Sequence, residues 1–225
     1  MKSWCLGKPS ARFVAKMEDV LEVYHRPYDP LRPVVCLDEK SKELHSTPQG
    51  VLPLEPGKPR REDYEYERNG TRNLFLWVEP LTGKRQVCVT KRRTGREFAP
   101  QLKLLVDAYP EAEQIVLVTD NLNTHTAACL YEVFAPEEAR RIAAKLEWHY
   151  TPEHGSWLNM AETELSVLGR QCLNRRIADA ETLAQEVAAW KVRRDSARTT
   201  IRWQFTAADA RIKLRSLYPE LAKTD

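Results

Sequence analysis

No run in this 225-residue chain approaches the ~18 consecutive apolar residues that a membrane helix needs. The start, Met1-Lys2-Ser3-Trp4-Cys5, also lacks the apolar core of a signal peptide. A membrane-spanning or secreted protein is therefore not expected, and a cytoplasmic one is. Paired cysteines are lacking too. Cys5, Cys36, Cys88, Cys129 and Cys172 are odd in number, never form C-x-x-C and sit mostly among apolar residues. That argues against a disulfide framework or a zinc ribbon and for reduced core thiols. There is no internal repeat and no low-complexity tract. A large net charge is missing as well: the formal value is only +3, so any attraction to a polyanion has to come from local patches.

Such patches are present. Lys58, Arg60, Arg61, Arg68 and Arg72 surround one Pro- and Gly-rich loop, and Lys91, Arg92, Arg93 and Arg96 form a second knot. Arg170, Arg175, Arg176, Lys191, Arg193, Arg194, Arg198 and Arg202 stud the last third. Clusters of this kind suit nucleic acid, and they equally suit solvated helix faces. With 42% hydrophobic and 30% charged residues the chain can build one sizeable core with appendages.

Apolar spacing predicts a helix from about Ser10 to Tyr24, after which Pro27, Pro30 and Pro33 break the chain. A first strand follows from Pro33 to Asp38, extendable to Leu44, and residues 46–70 read as a long loop. Thr71–Glu79 and Lys84–Thr90 form a hairpin about Pro80-Leu81-Thr82-Gly83. Glu97–Ala108 is an amphipathic helix and Gln114–Asp120 a buried strand. Helices over Thr124–Phe134 and Pro136–Lys145, a strand over Leu146–Tyr150 and a helix over Trp157–Cys172 come next. Ala180–Arg194 and Thr206–Leu217 close the chain as two further helices, the last capped by Thr206 with Asp209 three residues on. Three early strands followed by alternating helices and strands describe an α/β mixed sheet with helices on both faces. The expected organisation is a helical arm over residues 1–30, a core over 31–175 and a C-terminal helical extension packed on it over 176–225.

Three acids stand out by their placement. The apolar run Ile115-Val116-Leu117-Val118-Thr119 ends on Asp120, and Val34-Val35-Cys36-Leu37 ends on Asp38. Ser156-Trp157-Leu158-Asn159-Met160-Ala161 leads into Glu162 at a helix start. Each acid alone is an ordinary strand end or helix charge. Together they form a set of hard oxygen ligands of the kind that holds magnesium and serves metal-assisted phosphoryl transfer. Helical spacing alone leaves Glu162 and Glu164 open as the third acid, because they flank the apolar stripe Leu158, Ala161, Leu165, Leu168 and Cys172 on opposite sides. Glu39 faces away from Asp38 if the strand persists.

The words Leu37-Asp38-Glu39, Asp120-Asn121 with His125, and Tyr150-Thr151-Pro152 leading to His154-Gly155-Ser156-Trp157-Leu158-Asn159-Met160-Ala161-Glu162 occur in this order. With Tyr64-Glu65-Tyr66 before Arg68-Asn69-Gly70-Thr71, and the ending from Trp203-Gln204-Phe205-Thr206 through Asp209-Ala210-Arg211 to Leu217-Tyr218-Pro219, the chain resembles the mariner-related bacterial insertion-sequence transposases of the DDE superfamily over about residues 4 to 220.

The resemblance implies a ribonuclease-H-like core that cuts double-stranded DNA at transposon ends and joins the 3′ hydroxyl to target DNA. The implied cofactor is Mg²⁺ or Mn²⁺, as two ions. It makes Asp38, Asp120 and Glu162 the catalytic, metal-holding acids, with Met160 where the family word carries proline. Glu39, Asn121 and His125 are implied to support those carboxylates or to touch DNA. Arg60, Arg61, Lys91, Arg92, Arg93, Arg170, Arg175 and Arg176 are implied to bind DNA, and a homodimer on DNA is the implied assembly.

Two departures matter. The family's N-terminal helix-turn-helix is not seen before the helical arm, so a separately encoded recognition half is an expected partner. A catalytically idle DNA-binding or dimerising remnant is the alternative, and a ribonuclease-H-type nuclease a third reading. Arg194-Asp195 stands where such sequences more often read Arg-Asn, which is expected to weaken a basic DNA-facing surface slightly.

Overall fold

The computed structural model describes residues 10–48, 56–57, 64–122 and 125–219. Its centre is a five-stranded sheet of order β3-β2-β1-β4-β5. β1 (Val34–Ser46), β2 (Glu67–Val78) and β3 (Arg85–Thr90) form an antiparallel meander, and β4 (Ile115–Thr119) and β5 (Leu146–Tyr150) continue it in parallel with β1. β4 lies between two parallel neighbours and is covered on both faces, so its sequence is apolar at every position through Val118 rather than alternating.

The core divides about this sheet. Cys36, Leu74, Leu76, Val116 and Val118 on one face meet α1 (Ala11–Tyr24), α5 (Met160–Leu168), α6 (Ala180–Ser196) and α7 (Ala207–Lys213). Val35, Leu37, Phe75, Trp77 and Leu117 on the other meet α2 (Gly95–Asp107), α3 (Ala128–Tyr131) and α4 (Pro136–Ala144). The mixed sheet with helices on both faces is thus the expected one, with β1 and β4 side by side. Of the cysteines described, all four are free thiols, and burial pushes Cys36 up to about 12. No helix among the described residues is long and apolar enough to cross a membrane.

Several elements differ from the sequence reading. The hairpin strand expected at Thr71 begins at Glu67, and β1 runs on to Ser46, so part of the expected 46–70 loop is a two-stranded ribbon with a bulge between Glu43 and His45. The helix expected over Thr124–Phe134 shrinks to the single turn α3. His125 is drawn back into a turn closed by its own N–H on Leu122 O at 2.9 Å, and Ala135 is extended ahead of Pro136. The helix expected over Trp157–Cys172 is three pieces: a 3₁₀ turn over Ser156–Leu158, α5, and a π turn over Gly169–Leu173. The last helix breaks at Leu214 before a 3₁₀ turn over Arg215–Leu217.

Candidate active site

The register of β1 on β4 brings the first two acids together. Val34 pairs with Val116 and Cys36 with Val118. Two residues further along each strand, where the ladder has ended, stand Asp38 and Asp120. Period-two alternation puts Asp38 on the face of Cys36, which is the face that α5 covers.

The third acid is delivered by a locally fixed helix start. Asn159 is the N-cap of α5: its Oδ1 accepts from Ala161 N at 3.0 Å, and its Nδ2 donates to Leu37 O at 2.9 Å, one residue before Asp38. Tyr24 adds a second peg, donating to Leu158 O at 2.7 Å, and Met160 N donates to the Tyr24 hydroxyl at 3.4 Å. The Met160 N–H, which proline would lack, is therefore used. The turn before α5 needs Gly155, because a Cβ there would come within 2.5 Å of Pro152 Cγ. Glu162 thus enters the first turn of a helix pinned to β1.

The electrostatics report the convergence. Burial pushes the Asp38 carboxyl up to about 7, against a hydrogen bond from Glu39 N, and the charges of Glu39, Asp120 and Glu162 add to it. Three mutually repelling carboxylates at a sheet edge are an oxygen-only donor set suited to a hard divalent cation. Glu162 itself is exposed, whereas Glu164 points the other way and is completely buried. Both Glu164 oxygens accept from Arg194, at 2.9 and 2.7 Å, and Arg85 lies 3.4 Å away.

A second chain of charge approaches Asp120 from the opposite face. His125 is fully buried and stacked on Phe98, with ring centroids 4.2 Å apart. Its Nδ1 is hydrogen-bonded to Asp120 Oδ1, and its Nε2 lies 3.3 Å from Glu39 Oε2 in a charge contact too bent for a good hydrogen bond. Glu39 does face away from Asp38, and Arg93 closes the chain 3.7 Å from Glu39. Burial opposes charge on His125, but the hydrogen bond to Asp120 and the nearby negative charge of Glu39 prevail and raise it to about 9. Glu39, Asp120 and His125 cluster tightly enough to resemble a metal site of their own. With a proton on each nitrogen between these carboxylates, His125 would have no lone pair to give a metal. Asn121 adjoins this group, half-buried, at the end of β4.

The basic residues fall into different settings. Lys91, Arg92 and Arg93 are exposed at the end of β3. Arg170 is exposed and, among the described residues, bonded only to Ser166 Oγ, at 2.7 Å. Arg175 pairs with Glu186. Arg176 donates to Thr47 Oγ1 and to the carbonyls of Glu65 and Tyr64, a clamp on the β1–β2 ribbon. Arg60 and Arg61 lie outside the described residues. Arg194-Asp195 is held in ion pairs. Arg194 holds Glu164, and Asp195 pairs with Lys191 at 2.7 Å, because the exposed-looking end of α6 packs over β3.

Reasoning from sequence missed two contributors. Asn159 with Glu162 three residues on is a helix-start signature that was legible. Tyr24, 134 residues from its partner Leu158, left no local signal. Asn159→Ala removes the cap and orphans Leu37 O. It is expected to cost about 1–3 kcal/mol by denaturant titration and to lower activity through misplacement of Glu162. Unchanged stability and activity would remove Asn159 from this role.

A family model described as DDE superfamily endonuclease matches residues 33–184, and no curated protein matches the chain. Among solved structures, the chain is similar to the mariner Mos1 paired end complex with Mg, with a TM-score of 0.60 and 16% identity, covering 98% of this chain and 67% of that one. It is similar to the Mos1 mariner paired end complex with Mn at TM-score 0.56 and 16% identity, covering 86% and 59%. For the catalytic domain of Mos1 mariner transposase the TM-score is 0.50 at 14% identity, covering 84% and 85%. At these identities the similarity is one of fold, which is ribonuclease-H-like, and the chain spans 59% of the length of the Mn complex's transposase chain. Both acid-bearing strands and the start of α5 fall inside the family match, which covers about two thirds of the residues, and the chain belongs to the DDE superfamily endonucleases.

Proposed function

We propose that this protein is a transposase catalytic domain of the mariner-related bacterial insertion-sequence type, cutting double-stranded DNA at transposon ends and joining it to target DNA in the bacterial cytoplasm. The observation that carries the reading is the placing of Asp38 and Asp120 two residues beyond the shared register of neighbouring strands, with Glu162 on the helix pinned to β1; burial first, and then the charges of Glu39, Asp120 and Glu162, raise Asp38. Asp38, Asp120 and Glu162 would hold Mg²⁺ or Mn²⁺. Held by these carboxylates, divalent cations would supply Lewis-acid stabilisation of the charge that develops in phosphoryl transfer. Glu39 and His125 hold the Asp120 carboxylate in place from behind. Asn159 and Tyr24 hold Glu162 above it, so the acids are positioned before substrate arrives. Lys91, Arg92, Arg93 and Arg170 would contact DNA phosphates. The assembly proposed on DNA is a homodimer, with a helix-turn-helix half supplying end recognition.

Asp120→Asn is the direct test. Strand transfer on pre-cleaved ends with magnesium or manganese is expected to fall by at least ~10²-fold, without change in DNA binding measured in chelator. Wild type and variant behaving alike would sink the reading. Binding should also weaken by ~10³-fold or more between ~50 and ~200 mM salt, since phosphate contacts release counterions. A flat response would remove the basic residues from the DNA track.

A further inference from the structure

A groove of about 1080 Å³ opens between α1, the turn before α5 and α7, and Glu162 stands on its wall. Nothing in the chemistry of the three acids uses it. Its floor is aromatic. Trp157 and Phe205 meet edge to face at 6.0 Å, Trp157 is backed by Trp203 with centroids 6.3 Å apart, and both groove-lining rings stay partly exposed. Its rim is basic. Arg12 and Lys16 stand one helical turn apart on α1, and Arg170 faces them from beyond α5. None of the three makes an ion pair among the described residues. By contrast, Arg211 on α7 is spent on Glu18. Arg12 and Lys16 repel each other, while Lys16 also lies 5.9 Å over the Tyr150 ring and is drawn by Glu153 on the same groove.

We infer that this groove holds unpaired nucleotides of the DNA strand being processed, with a base stacked on the Trp157–Phe205 floor and its phosphates on Arg12, Lys16 and Arg170. The inference rests on the DNA-processing reading above and adds a substrate feature to it. Charge selects a polyanion. The aromatic floor selects one whose base faces are free, and in a duplex those faces are hidden in the stack. Position does the rest: Glu162 borders both the groove and the acid set, so a strand leaving the acids enters the groove at once.

The test compares a blunt duplex with the same duplex carrying a single-stranded thymidine extension, by fluorescence anisotropy of labelled DNA with full-length protein in chelator. The extended duplex should bind more tightly by about fivefold to a hundredfold, the range expected for one stacked base. In Phe205→Leu and Trp157→Leu that ratio should collapse toward one, while Ile212→Ala, exposed on α7 outside the groove, keeps it. Trp157 also packs on Trp203. The surface change Arg12→Gln guards against a folding artefact, and it should reduce the slope of log affinity on log salt by about 0.7 for the extension. Equal binding of the two DNAs by wild type overturns the inference, even if Asp120-dependent strand transfer is intact. Loss of concentration-dependent self-association in Phe205→Leu, with no DNA preference in wild type, overturns it in favour of a second copy of the chain.

Discussion

Glu164→Gln is expected to lower the melting temperature by about 6–20 °C, while Glu162→Gln leaves it nearly unchanged and abolishes metal-dependent strand transfer. The two glutamates sit two residues apart on one helix and differ only in what faces them. Glu164 is completely buried and neutralises Arg194 through both oxygens, with the wholly enclosed Arg85 side chain 3.4 Å away. An amide of the same shape leaves two buried guanidiniums facing each other with only Asp195 nearby, 3.9 Å from Arg85. Breaking such a network by removing one partner typically costs about 3–5 kcal/mol. Glu162 is exposed and contributes repulsion rather than attraction, so losing its charge cannot unfold the protein by this route. The measurement is thermal unfolding of both variants beside a strand-transfer assay. An inactive but stable Glu164→Gln with an active Glu162→Gln would reverse the assignment.

Removing metal should make the protein less stable as pH rises, and Asp38→Asn should remove that trend below about pH 6.5, above which His125, raised to about 9, adds its own. The sign follows from where the proton sits. In the unfolded chain the Asp38 carboxyl titrates near 3.8, and in the folded protein burial and the neighbouring carboxylates raise it to about 7. Between about pH 4 and about pH 7 the folded state therefore keeps a proton that the unfolded state has released. Stability present below pH 4 is lost progressively up to pH 7, with an upper bound of about 4 kcal/mol for a shift of this size. A divalent cation among the acids reverses the penalty and displaces the proton. The expected result is a melting temperature in chelator that falls from about pH 5 to about pH 8 in wild type and, in Asp38→Asn, stays level up to about pH 6.5. Magnesium should raise it at about pH 8 in wild type alone. A wild-type profile in chelator that is flat or rising beside an identical variant would refute the raised carboxyl.

Both expectations turn on a distinction that only part of the sequence carries. The strand acids were legible because a buried parallel strand must be apolar throughout, so Asp38 and Asp120 stand out at the ends of Val34–Leu37 and Ile115–Thr119. Periodicity did not single out the helix acid, because a helix beside its own apolar stripe offers two flanking positions of equal local merit, and only the family word favours Glu162. Glu164 is claimed by Arg194 from 30 residues away and by Arg85 from the far edge of the sheet, and no local pattern encodes either approach. The same limit explains the overlong helix expected at Thr124–Phe134. Its apolar spacing is genuine, but His125 gains more from Asp120 and Glu39 than from continuing a helical turn. Arg176 and Arg194 read as surface charge for the same reason.

By itself, then, the sequence determined the strands, their order along the chain, the two acids at strand ends and the family words, all of which rest on residues adjacent in the chain and on the periodicities of strand and helix. The tertiary structure alone decided that Glu164 is claimed by Arg194 and Arg85 while Glu162 stays exposed, and that Arg12, Lys16 and Arg170 border an aromatic groove beside Glu162. Those outcomes are set by which charges meet across the sheet, and the energy of a charge depends on its partner and its burial rather than on its neighbours in sequence.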